Sequence, residues 1–154
     1  MIDENDVPDI GSDERLSRCV VFSKYIRAAK PDGSNLERVK PGAFIPHPYD
    51  DLSVNRHQNT TDTEVWDLCH LVAKLQNRPL YGRATVRGND FQSKKLTVRP
   101  DPIRTDNPDG HPPNPNHAIV VGWPAEKAAQ MAIAQDIADV CEFFESPNTQ
   151  KPIN

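Results

Sequence analysis

Proline sets the upper limit on regular structure in this chain. It supplies 15 of the 154 residues, about twice its usual share. Each one lacks an N–H and fixes φ, so it interrupts a helix interior or a central strand. Six prolines fall within residues 100–115, which therefore read as a surface loop. Pro41, Pro46 and Pro48 leave only short extended pieces at 43–45 and 52–54. Pro79 ends the element before it, and Pro124 suits the first turn of a helix, where its missing N–H costs nothing. With 36% hydrophobic residues, the core is modest.

Between the prolines, periodicity assigns the elements. Residues 16–22 are rich in β-branched and aromatic side chains and read as a strand. Thr61 and Glu64 form a capping box. Val65, Leu68, Cys69, Val72 and Leu75 then recur at three and four, predicting a helix that ends near Asn77. Along 80–87, Tyr81, Arg83, Thr85 and Arg87 alternate with Gly82, Ala84 and Val86. Along 95–99, Leu96 and Val98 point inward. These two runs are expected to pair as an antiparallel hairpin with a wide loop. Residues 116–122 read as a buried strand, and 125–145 as the longest helix, on Ile133, Ile137, Val140, Cys141 and Phe144. The order implies an α+β fold, a small mainly antiparallel sheet with two helices packed on one face.

Charge divides the chain differently. The formal net charge of -4 excludes a strongly basic nucleic-acid binder as a description of the whole molecule. Residues 1–15 hold six acids against Arg15 alone, and the remainder holds 17 bases and 16 acids. The expected organisation is a disordered acidic arm at 1–15, a single α+β domain at 16–146 and a loose tail at 147–154. In 74–104, eight bases face only Asp90 and Asp101. On the expected hairpin, Arg83, Arg87, Lys95 and Arg99 share the outward face with Tyr81. That is a surface for phosphate backbone with one aromatic ring to stack on an unpaired base. A flexible acidic arm beside it would compete with a polyanion.

Catalytic and metal motifs are sparse. Cys19, Cys69 and Cys141 are odd in number and lack a CxxC pair, which points to buried thiols. His111 and His117 with Asp109 fit no metal spacing. Ser53 with His57 lacks a strained nucleophile elbow, Cys69 and His70 point about 100° apart on a helix, and the 121–124 junction has a single glycine where a phosphate loop needs several. No cofactor and no metal are expected. The start has no apolar signal core and no run approaches a membrane span, so the expected location is the cytoplasm, with no membrane partner.

Four stretches carry a family resemblance: 18–20 (Arg18, Cys19, Val20), 43–54 (Ala43, Phe44 leading to Leu52, Ser53, Val54), 81–84 (Tyr81, Gly82, Arg83, Ala84) and 116–124 followed by Lys127. In order and spacing they resemble, over residues 16–145, a family of small bacterial proteins found near mobile-element and anti-phage defence genes. No activity is established for that family. The resemblance implies a non-enzymatic accessory or adaptor subunit of a multi-gene system, plausible in anti-phage defence, that binds a larger protein from the same operon. Direct binding of DNA or RNA through residues 80–99 is the alternative. A small enzyme is the third reading, with Arg18, Arg56 and His117 as an Arg/His group able to stabilise an anionic transition state.

Overall fold

This computed structural model describes residues 1–27, 31–32, 39–46 and 48–147. Six strands form one antiparallel sheet: β1 (Arg15–Val20), β2 (Leu52–Arg56), β3 (Gly82–Arg87), β4 (Thr97–Pro100), β5 (His117–Val121) and β6 (Glu142–Glu145). Their spatial order is β4-β5-β2-β1-β3-β6. Register places Leu16 beside Val86, Leu52 beside Val120 and Val98 beside Val120, so the apolar positions of five strands share one face.

That face is covered by α3 (Lys127–Val140) through Ala134, Ile137 and Ala138, by the 3-10 turn Pro41–Phe44 and by the short helix α2 (Gly88–Gln92). Phe44 and Phe91 meet edge to face over it, with ring centroids 6.4 Å apart, a geometry worth about 0.5–1.5 kcal/mol beyond burial. The opposite face carries Ser17, Cys19, Arg83 and Thr85. There α1 (Asp62–Leu75) packs Cys69 and Ala73 against Val21 and Leu80. The α+β class is therefore as expected, with the sheet antiparallel throughout. The two long helices lie on opposite faces, because the stripe of α1 matches the odd-numbered positions of β1 and that of α3 the even-numbered ones.

Four further expectations are corrected. Strands β3 and β4 form no hairpin: α2 intervenes, β4 pairs with β5 at one edge, and β3 pairs with β1 and β6 at the other. The last helix stops at Val140, since Phe143 and Phe144 gain more as a strand on β3 than as a fifth helical turn. Gly82 makes that pairing possible, because a Cβ there would sit 2.5 Å from the Phe143 ring and collide with the Phe144 carbonyl. Residues 43–44 belong to a 3-10 turn rather than an extended piece. Cys19 and Cys69 are joined in a disulfide that ties β1 to α1, leaving Cys141 as the free thiol.

The acidic segment 1–14 is not a loose arm. Ile2 is 3% exposed, and its amide donates to Asn116 Oδ1 at 3.0 Å. Gly88 and Asn89 donate to the carbonyls of Glu14 and Ser12, and the Glu4 carboxylate accepts from Thr105. These backbone groups and a few apolar side chains outweigh the composition that suggested disorder. The fold thus begins ahead of residue 16. Residues 148–154 of the expected C-terminal tail lie outside the described residues. Among the described residues no helix is long and apolar enough to cross a membrane.

Candidate binding groove

Strands β1 and β2 pair only at Leu16 with Arg56 and Ser17 with Asn55. Beyond those residues they diverge, and the Arg18 side chain enters the gap. Its Nε donates to the Ala43 carbonyl at 3.1 Å and its Nη1 to the Ser53 carbonyl at 3.0 Å. Two backbone acceptors thus fix the guanidinium plane, while Nη2 has no protein partner among the described residues. Arg18 forms no ion pair among them either, and burial pushes its pKa below the usual arginine value, with only the nearby Tyr25 phenol acting in the opposite direction.

The gap opens into a groove of about 830 Å³, within the range of small-ligand sites. One wall is the outer flank of α1, with Leu71, Val72 and the 60% exposed Leu75. Loop residues Ile45, Pro48 and Tyr49 form a second wall, and Ile103, His111 and Pro112 close the far end. The floor is polar and tightly ordered. Asn114 Nδ2 donates to Asn55 Oδ1 at 2.8 Å, the Asn116 amide donates to Asn114 Oδ1 at 3.0 Å, and Asn55 Nδ2 lies 3.4 Å from Cys19 Sγ. His117, at the rim, is held through Nδ1 by the Asp101 carbonyl at 2.8 Å and the Asp101 carboxylate at 3.1 Å.

Of the three residues expected as an Arg/His group, Arg18 and His117 line this groove and Arg56 does not. Arg56 is fully buried. Its Nη2 donates to Glu14 Oε1 at 2.8 Å and to Gln58 at 3.0 Å, and the Pro8 and Asp9 carbonyls take further N–H groups. It pins the N-terminal segment and is closed to any substrate.

The expected basic face is dispersed. Three strands separate β4 from β3, placing Arg99 about 19 Å from the Arg83 strand at the usual spacing. Arg83 is 3% exposed, with its guanidinium carbon 4.6 Å from the Trp66 ring and 5.2 Å from the Phe144 ring, and Nη2 lies 3.4 Å from Asp62. Arg87 donates to the Asp13 carbonyl at 2.7 Å. Lys95 is exposed at φ 63° in the turn before β4, and Tyr81 is half-buried ahead of β3. These five residues form no common surface. The acidic segment meets one of them, Arg87, through a backbone carbonyl rather than its carboxylates.

Ser53 does not meet His57. The partner of His57 is Ser17, whose hydroxyl lies 2.6 Å from Nε2 and 2.8 Å from the Thr85 hydroxyl. Ser17 is fully buried, so this pair stabilises the sheet beneath the start of α1 and offers no exposed nucleophile. Burial, with Arg83 and Arg15 adding to it, pushes the His57 pKa down to about 4, so the ring is neutral near pH 7. His111 and His117 do share the groove, but among the described residues no cluster of three metal-ligating side chains forms. Burial raises the Cys141 thiol to about 11, which leaves it unreactive.

Sequence reasoning missed the Asn55–Asn114 floor, the buried Asn116 behind it and the Arg18 insertion. The signal for the floor and for Asn116 was three asparagines at strand positions or strand entries, where asparagine is disfavoured unless its amide is used. In comparisons with known proteins, no family model, no curated protein and no solved structure matches this chain.

Proposed function

We propose that the protein is a binding subunit, without catalytic chemistry of its own, that takes a segment of a larger partner protein from the same operon into the α1 groove. The observation that carries this reading is Arg18: a half-buried guanidinium held in place by two carbonyls, facing an open groove whose one lining carboxylate, the exposed Asp51, forms no ion pair with it among the described residues. A cation left in that position favours an incoming carboxylate strongly, because the surrounding low dielectric magnifies the attraction. The adjacent flank of α1 is apolar. The complementary occupant is therefore an extended segment presenting an apolar side chain next to an acidic one, in the manner of anchored peptide recognition.

The adaptor role implied by the family resemblance, including a defence context, agrees with this reading. The groove supports it better than it supports nucleic acid, since the residues first expected to bind phosphate backbone lie apart.

The test uses the full chain expressed with its operon neighbours, carrying a photo-crosslinking residue at Leu71 in the groove or, as a control, at Thr97 on the far edge strand. A single neighbour is expected to crosslink from position 71 and not from 97, and to be lost on Arg18→Gln. A partner that crosslinks only from position 97, or that survives Arg18→Gln unchanged, overturns the proposal.

A further inference from the structure

A second cavity stands beside the groove, and its chemistry differs. Residues 24–27 and 39–40 are brought together by the bridge between Ile26 and Val39 and by the Lys40 amide, which donates to the Tyr25 carbonyl at 2.8 Å. The Tyr25 ring then packs against Gly42, where a Cβ would come within 2.5 Å of it. Around that ring a pocket of about 490 Å³ is lined by Lys24, Arg27, Lys40 and Lys127, with Met131 on its apolar side. Among the described residues no carboxylate lines it, although the chain as a whole carries more acids than bases.

Two features make this more than a solvated basic surface. Lys127 opens α3, a helix of 14 residues whose preceding residue, Glu126, makes no side-chain cap, so the first amides of the helix face outward without an internal acceptor. The ammonium groups also converge on a concavity, whereas lysines that serve only solubility spread over a convex face. Lys24 sits 5.3 Å from the centre of the Tyr25 ring, which holds its charge at the pocket rim.

The geometry points to a binding site for a small, multiply charged phosphate ester of about nucleotide size. The three lysines and the uncapped helix start call for a ligand carrying more than one negative charge. The volume accommodates a nucleoside diphosphate, with the phosphates toward Lys40 and Lys127 and the organic part against Tyr25 and Met131. A long nucleic-acid strand fits less well, because the cations ring one cavity instead of tracking a backbone path.

The pocket adjoins the partner groove, with which it shares Lys24, Tyr25, Gly42 and Ile45, and the experiment separates the two through Lys40 and Lys127, which line the pocket and not the groove. Titration calorimetry of the full chain at low salt uses ADP, inorganic pyrophosphate, adenosine and a single-stranded 20-mer as probes. ADP and pyrophosphate are expected to bind, adenosine is not, and affinity should fall as salt screens the cluster. Lys40→Glu with Lys127→Glu, checked by circular dichroism for folding, should weaken ADP by at least about tenfold. The distant Lys95→Glu should leave it unchanged. Absence of ADP and pyrophosphate binding, binding of the 20-mer alone, or ADP affinity that survives the double charge reversal each overturns the proposal.

Discussion

Arg56 and Arg18 sit on neighbouring strands of one sheet, the first fully buried and the second half-buried. Around Arg56 the chain has closed completely: a carboxylate, a side-chain amide and two carbonyls take up its N–H groups, all of them from outside its own strand. Around Arg18 closure stops at two carbonyls, and the groove remains. The same side chain is therefore a structural clamp in one place and an unfinished site in the other. What distinguishes them is whether the protein itself supplies the counter-charge, because a buried cation without one is expensive unless something else arrives to provide it.

The strongest way to break this comparison is to remove the charge at the closed site. Arg56→Gln leaves the Glu14 carboxylate, only 7% exposed, buried without its cation, and frees the segment that carries Ile2. Losing one partner of a buried pair costs about 3–5 kcal/mol, so urea denaturation should show a large fall in midpoint or outright unfolding. A variant that keeps the wild-type midpoint would mean that Arg56 is as dispensable as a surface arginine, and the contrast would collapse.

A smaller effect comes from the residue after Arg56. The His57 pKa is depressed from 6.5 to about 4 in the folded protein, so the unfolded chain binds the extra proton first as the solution is acidified. The stabilisation is complete above about pH 6.5 and is lost as pH falls toward 4. Allowing for the partial exposure of the ring, about 1–2 kcal/mol should disappear between pH 7 and pH 4.5. His57→Gln should flatten that portion of the stability profile relative to wild type. Equal slopes for the two proteins would show that neither burial nor the charges of Arg83 and Arg15 depress the ring's pKa.

Parts of this architecture were readable in the chain. The capping box at Thr61 is present, with the Glu64 amide 3.2 Å from Thr61 Oγ1 and the Glu64 carboxylate reaching back to the Thr61 amide. The α1 stripe, the alternation along β3 and the buried β5 also follow local rules. What escaped depends on partners distant in sequence. Phe143 and Phe144 continue a helical period, yet they leave the helix because β3 offers an open edge. The segment 1–14 reads as disordered because its composition hides that its backbone amides and carbonyls, more than its side chains, attach it. Cys19 and Cys69 are 50 residues apart in a chain with an odd cysteine count, and only the packing of α1 on β1 shows that they meet. That bond belongs to oxidising compartments, in tension with the cytoplasmic location expected from the chain. Arg18 and His117 were named for their chemistry, and their common groove emerged only from the divergence of β1 and β2.

The comparison is sharpest where the stability effect is smallest. Arg18→Gln removes a charge that has no acidic partner among the described residues, and the shorter amide can still reach toward one of the two carbonyls. The Ser53 side of the pair is open to water, so little is left unsatisfied there. The cost of a weakened hydrogen bond, about 1 kcal/mol, is offset by relief of the desolvated cation, giving a net change within about 1 kcal/mol of wild type. Set beside Arg56→Gln, the identical substitution should differ several-fold in stability cost while reversing in its effect on partner capture, which Arg18→Gln abolishes. If Arg18→Gln instead unfolds the protein as Arg56→Gln does, the groove is a seam that the guanidinium holds shut, and the free Nη2 has no ligand to await.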